Sequence, residues 1–139
     1  MPEKRTIDRA KQDAREGKAP STQAGEFVRE EMDHIREGKH GARSAKQAIA
    51  IGLSKARRAG VRLPPPKEGT ASKETRARAK RDNEKGKSPH SRKVSTKRSR
   101  ATTNALKREG HSAASHKALS RQARSTAKQR AATRKANSR

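Results

Sequence analysis

Apolar residues recur at helical spacing most strongly in two stretches of this chain. Between about Thr22 and Glu37, Ala24, Phe27, Val28, Met32 and Ile35 fall on one arc, the three- and four-residue spacing of a helix with one buried face. Ser21 is placed to cap it and Gly38 to stop it. Between about Ala45 and Ala59 the arc is Ala45, Ala48, Ile49, Leu53, Ala56 and Ala59, with Gly52 inside it. Ser44 precedes Gln47 by three residues, the capping-box spacing in which each side chain satisfies a backbone donor of the first turn. Gly60 suits the left-handed position after a helix, and Val61 falls where it folds back onto Ala56 in a Schellman ending.

A weaker pattern from about Ile7 to Glu16 puts Ile7, Ala10 and Ala14 on one face, with Thr6 as N-cap and Gly17 as stop. Leu63 to Pro66 closes this unit. Three successive prolines cannot continue a helix and predict a stiff extended spacer. Past it lie three Ala-, Lys- and Arg-rich stretches, about Ser72 to Glu84, Lys93 to Glu109 and Ala113 to Ala136, with Val94, Leu106 and Leu119 as their only larger aliphatics. Like-charge repulsion predicts that these fray or are disordered when free and become helical on a polyanion. Arg15-Glu16-Gly17, Arg36-Glu37-Gly38 and Arg108-Glu109-Gly110 each end a helix candidate and are followed by Ser21, Ser44 and Ser112. This is either ordinary helix-stop chemistry or a helix-hairpin repeat.

The expected fold class is therefore all-α: a small helical hairpin or three-helix unit followed by a basic, partly helical or disordered C-terminal region. The expected divisions are 1–19 (a short N-terminal helix), 20–66 (the helical core unit) and 67–139 (a basic arm).

Composition sharpens the division. Of 139 residues only 27% are apolar and 1% aromatic, which excludes a large core. Residues 1–66 carry 15 basic and 9 acidic side chains and residues 67–139 carry 23 and 5, so the formal net charge of +24 splits as +6 and +18. From residue 84 onward the carboxylates are Glu84 and Glu109 alone, among seventeen Lys and Arg. This is the charge pattern of a polyanion binder. The absence of Cys excludes disulfides and thiolate zinc sites. No apolar run approaches a membrane span, and Met1-Pro2-Glu3-Lys4-Arg5 lacks the apolar stretch of a secretory signal, so the expected location is cytoplasmic, at the nucleoid.

Candidate chemistry is electrostatic. The second strong helix turns Lys46, Gln47, Ser54, Lys55, Arg57 and Arg58 away from its apolar arc, a face compatible with phosphate contacts, with Gln47 or Arg58 able to reach base edges. Gly38-Lys39-His40-Gly41 is a G-x-x-G that in KH-type modules lets backbone approach phosphates, although no strands flank it and glycine as helix stop is the simpler account. With Lys39 and Arg43 before that helix and Arg92, Lys93, Lys97, Arg98, Arg100, Lys107, Arg108, Lys117, Arg121, Arg124, Lys128, Arg130, Arg134 and Lys135 in the arm, these are the expected nucleic-acid contacts. Glu26, Glu30, Asp33 and Glu37 form an acidic stripe that reads as a solvated face. Glu31 falls within the apolar arc without an evident reason. The histidines are scattered, with only the weak His111–His116 spacing. No metal, cofactor or catalytic residue is expected, and the chain does not read as an enzyme.

Glu26 to Glu31, His40 to Gly60 and the tail segment Ala105 to Ser120 resemble a family of small basic bacterial proteins of unknown function, often labelled DNA-binding. The resemblance implies a bacterial cytosolic setting and transfers no binding or catalytic residues. The Ala/Lys/Arg arm is also similar in composition to bacterial histone-H1-like proteins.

The expected function is non-sequence-specific nucleic-acid binding of nucleoid-associated or histone-like type, by phosphate neutralisation. The partner is duplex DNA or structured RNA, since Tyr and Trp are absent and cannot stack on splayed bases. A homodimer through the apolar helix stripes is compatible with this. The alternatives are a ribosome-associated or RNA-folding protein and a cationic helix for membranes or acidic partners. The mainly Ala apolar positions of the arm speak against a membrane.

Overall fold

The computed structural model describes residues 2–88 and 95–138. Among these the chain is all-helical, with one isolated bridge between Glu68 and Ala71 as its only β-type pairing. The helices are α1 (Lys4–Arg15), α2 (Pro20–Arg36), α3 (Ala45–Arg58), α4 (Lys73–Lys87), α5 (Thr96–Lys107) and α6 (His116–Asn137), with a 3-10 turn at Ser112–Ala114. No described helix is long and apolar enough to cross a membrane.

The ends of these helices follow local chemistry where that chemistry is strong. Ser44 Oγ accepts from Gln47 N–H at 3.1 Å, and Gln47 Oε1 reaches back to Arg43 N–H at 2.7 Å. Gly17 and Gly38 both take positive φ, 76° and 78°, and the next residue's N–H closes the turn, Lys18 to Asp13 O at 2.9 Å and Lys39 to His34 O at 3.0 Å. Val61 N–H reaches Ala56 O at 3.1 Å as the Schellman reading requires. The third Arg-Glu-Gly copy departs: Gly110 stays out of the left-handed region, and its carbonyl accepts from Ala42 N–H at 3.0 Å.

Two starts differ from expectation. α2 begins at Pro20 with Ala19 as N-cap, because proline's fixed φ and missing N–H suit the first helical position better than Ser21 suits a cap. α1 begins at Lys4, so Thr6 lies within the helix and is buried. The cap comes from α2 instead: Glu30 Oε1 accepts from Glu3 N–H at 2.6 Å and from the Thr6 hydroxyl at 3.2 Å. Glu30 is therefore not part of a solvated face; it is buried.

Packing gathers into two small cores at opposite ends of the α2–α3 pair. At one end Ala10, Ala24, Phe27, Ala56 and Val61 pack together with Ile7, Leu53 and Leu63 at their margin. At the other end Met32, Ile35, Ala42 and Ala48 meet Ala113 and Ala114, with Val28, Ile49 and Leu119 at the margin. The apolar stripes of α2 and α3 are thus covered from within the chain, by α1 on one side and by the 113–119 segment on the other.

Packing also crosses the compositional division at Pro66. Asp82 of α4 accepts from Ser54 at 2.8 Å and from Arg58 at 2.9 Å, and Ala79 is buried. Asn83 donates to Leu63 O at 2.9 Å and Arg76 to Pro66 O at 3.1 Å, so α4 holds the proline run. Farther on, Arg36 donates to Ala114 O at 3.1 Å and His111 Nδ1 to Ile35 O at 3.1 Å. The basic half supplies structural parts as well as charge.

Gly52 marks where α2 and α3 cross most closely. A Cβ there would lie 2.7 Å from Val28 Cα and 2.9 Å from Val28 N, backbone atoms that cannot swing away. Gly52→Ala gains about 1 kcal/mol in helix propensity and loses about 3 kcal/mol to overpacking. The expected net loss of about 2 kcal/mol lowers Tm by about 8 °C. Gly25→Ala, in α2 with no atom within 4 Å of the added carbon, is expected to raise it. Thermal melts of both variants check the pair of signs.

Candidate nucleic-acid interface

The residues expected to contact nucleic acid fall into two groups with different surroundings. Those on α3 are largely engaged within the protein. Lys55 pairs with Glu31, whose second oxygen takes His40 Nε2 at 3.1 Å. Glu31 is 1% exposed, so the carboxylate that looked misplaced in the apolar arc is the buried tie between α2, α3 and their connection. Arg57 is buried, donates to Leu63 O at 3.3 Å and Pro64 O at 3.0 Å, and has its pKa lowered by that burial. Arg58 pairs with Asp82, and the Gln47 carbonyl is part of the α3 cap. Arg43 and Lys46 remain exposed. On this helix Lys55, Arg57 and Arg58 thus also have partners within the fold.

The Gly38–Gly41 connection packs against the 106–110 segment of the same chain. Gly41 N–H donates to Leu106 O at 2.8 Å and Ala42 N–H to Gly110 O. A Cβ on Gly41 would lie 2.1 Å from Glu109 O. The glycine serves close approach, but the backbone that approaches is the chain's own. Lys39 is exposed and bridges Glu37 at 3.2 Å and Glu3 at 3.6 Å; the Glu37 hydrogen bond chiefly, then the two carboxylate charges, raise its pKa.

The second group, on and just after α5 and on α6, pairs with no carboxylate among the described residues; its ties are local, Arg108 to Asn104 O at 3.3 Å and Arg124 to Ser120 O at 3.4 Å. Neither helix contains an acidic residue. On α5, Lys97, Arg98, Arg100 and Lys107 are exposed, as is Arg108 just beyond it. On α6, Lys117, Arg121, Arg124, Lys128, Arg130, Arg134 and Lys135 are all exposed. Arg92 and Lys93 lie outside the described residues.

α6 sorts its charges by face. At 3.6 residues per turn, Lys117, Arg121, Arg124, Lys128 and Lys135 fall within about 60° of one another along about 27 Å of helix. Leu119, Gln122 and Thr126, which lie on the other side, are half-buried. Ser115 caps the helix, accepting from Ala118 N–H at 3.1 Å, and the buried Ala113–Ala114 turn before it seats the start of α6 against the α2–α3 core. The cation row therefore projects outward from a docked base. The expected start near Ala113 was off by three residues because Ala113 and Ala114 pack as a 3-10 turn before Ser115 restarts the helix.

Sequence reasoning missed the tertiary partners of Glu30, Glu31, Lys55, Arg57 and Arg58. The signal that would have found Glu31 was its position in the apolar arc, which requires a buried counter-charge.

The profile of a family described as a family of unknown function (DUF6496) matches residues 4–67, from the start of α1 to just past the proline run and a little under half of the chain. No curated protein and no solved structure matches.

Proposed function

We propose that this protein binds duplex nucleic acid by phosphate neutralisation with little sequence preference, in the manner of a nucleoid-associated or histone-like protein, and that α6 carries the main contact. The observation that supports this reading is the row of five exposed cations on one face of a helix that has no carboxylate of its own. Small Ala, Ser and Thr side chains separate the charges, so the helix can approach a phosphate backbone closely. The single Phe, Phe27, is buried and Tyr and Trp are absent, so no phenyl or indole ring is offered for stacking on unpaired bases, which favours a duplex over single strands. Phosphate contacts from Lys and Arg position a protein without reading sequence. The proposed main contact lies on α6 rather than α3, where Lys55, Arg57 and Arg58 have internal partners and Lys46 stays exposed.

The test is a titration of the full chain against duplex DNA, single-stranded DNA and structured RNA at several salt concentrations. Steep loss of duplex binding with rising salt is expected, with single strands bound more weakly. Preference for structured RNA over duplex DNA at fixed salt would turn the reading toward an RNA-folding protein. Absence of binding to all three in dilute buffer would end it.

A further inference from the structure

His34 stands where the start of α1 meets the last turn of α2. Its Nε2 lies 3.2 Å from Glu3 Oε1, and Glu30 lies one turn earlier on the same helix. Glu3, Glu30 and His34 each bring one ligand-capable atom within 4.8 Å of the others. Glu30 is 5% exposed. Its Oε1 accepts from Glu3 N–H and the Thr6 hydroxyl, while its Oε2 is buried with no partner. A buried carboxylate oxygen without a donor carries a desolvation cost that no contact within the chain offsets.

These three residues line a cavity of about 20 Å³. That is room for one ion or water and too little for an organic ligand. Its walls carry the carboxylates of Glu3, Glu26, Glu30, Asp33 and Glu37 against three guanidinium groups, an excess of acid in a chain whose net charge is +24.

We infer that this cavity binds one divalent transition-metal ion of the zinc class, through His34 Nε2, an oxygen of Glu30 and an oxygen of Glu3. One imidazole with two carboxylates is a borderline donor set that suits Zn²⁺ and its neighbours, with water completing the coordination. The neutral His34 ring offers its Nε2 lone pair when its proton resides on Nδ1. Lys39, 3.6 Å from Glu3 Oε1, is the cation that gives way. A second set, Glu31 with His34 and His40, is equally compact but closed: Lys55 and His40 take the two oxygens of Glu31, and His40 Nδ1 faces Gly41 O at 2.9 Å. The metal joins Glu3, just before α1, to the body of α2, so binding stabilises the docking of α1 by linkage.

The test uses the full chain stripped with a chelator and titrated with ZnCl₂ by calorimetry, with Co²⁺ absorption as a report on coordination and thermal melts as a report on stapling. One equivalent is expected, with a raised Tm. Glu30→Gln and His34→Gln are each expected to weaken binding by more than about tenfold and to abolish the Tm rise. His116→Gln, on the exposed start of α6, should leave both intact. If Glu30→Gln fails to fold, His34→Gln decides. Binding unchanged in the folded variants, loss with His40→Gln but not with Glu30→Gln, or no stoichiometric uptake at all would overturn the assignment.

Discussion

Phe27→Ala is expected to lose about 3 to 5 kcal/mol of stability. Phe27 is 1% exposed and is the largest side chain in its cluster. Its buried neighbours there are Ala10, Ala24, Ala56 and Val61, short side chains that cannot reach into the vacated volume. Only Ile7, Leu53 and Leu63 at the margin are long enough to lean into it, and incomplete filling leaves the cavity cost that makes truncation expensive. Against a total of roughly 5 to 15 kcal/mol for a domain, this is enough to unfold a large fraction of the protein at moderate temperature. The loss should begin locally. Phe27 belongs to the cluster shared with α1 and Val61, whereas Met32, Ile35 and Ala114 form the other. Hydrogen exchange should therefore rise first in α1 and at Val61, with the Ala42–Ala114 side following at higher denaturant. A variant that melts with the wild type would show that the two clusters are not what holds the helices together.

The same clusters explain what was legible in the sequence. α2 and α3 were readable because their large aliphatics sit at helical spacing beside strong local punctuation, Ser44 with Gln47 at one end and Gly38 and Gly60 as stops. Each of those signals acts within five residues of itself, so its meaning does not depend on the rest of the fold. α4 was legible only as a stretch of about Ser72 to Glu84 expected to fray or be disordered when free; the helix forms there as Lys73–Lys87, with Ser72 accepting from Thr75 N–H at 3.2 Å.

What stayed hidden in the sequence was the distant partner. Thr6 has the chemistry of a cap, but Glu30, 24 residues away, caps α1 in its place. Lys55, Arg57 and Arg58 have the look of a phosphate-binding face; Lys55 is matched by Glu31 of α2, Arg58 by Asp82 of α4, and Arg57 by the Leu63 and Pro64 carbonyls just past its own helix. The docking of the 106–119 segment left almost no trace in the pattern, because Ala113 and Ala114 seat by close backbone approach and carry too little apolar surface to register as core. Charge dominates the local composition there, while two methyl groups and the Arg36 and His111 hydrogen bonds decide the placement. The converging of Glu3 with Glu30 and His34 was invisible for the same reason: Glu3 lies 27 and 31 residues from them along the chain.

The cation row on α6 yields the largest expected change in binding. Replacing Lys117, Arg121, Arg124, Lys128 and Lys135 together by Gln lowers the formal charge from +24 by five. If each cation neutralises one phosphate, the slope of log affinity against log salt falls in magnitude by about 4.5, and affinity near 0.1 M salt drops by roughly four orders of magnitude. All five side chains are exposed and, among the described residues, none pairs with a carboxylate, so helical content and Tm should stay close to wild type. Gln replacement keeps helix propensity nearly constant. A second variant with Lys4, Lys11, Lys67, Lys73 and Lys80 changed to Gln has the same net charge, with all five exposed positions lying elsewhere on the molecule. Association driven by overall charge alone would respond alike to both variants. A row of phosphate contacts on one helix would not: the α6 variant should lose most of the salt dependence and the second variant little of it. Equal losses in the two would assign binding to diffuse charge, and an unchanged slope in the α6 variant would remove this helix from the interface.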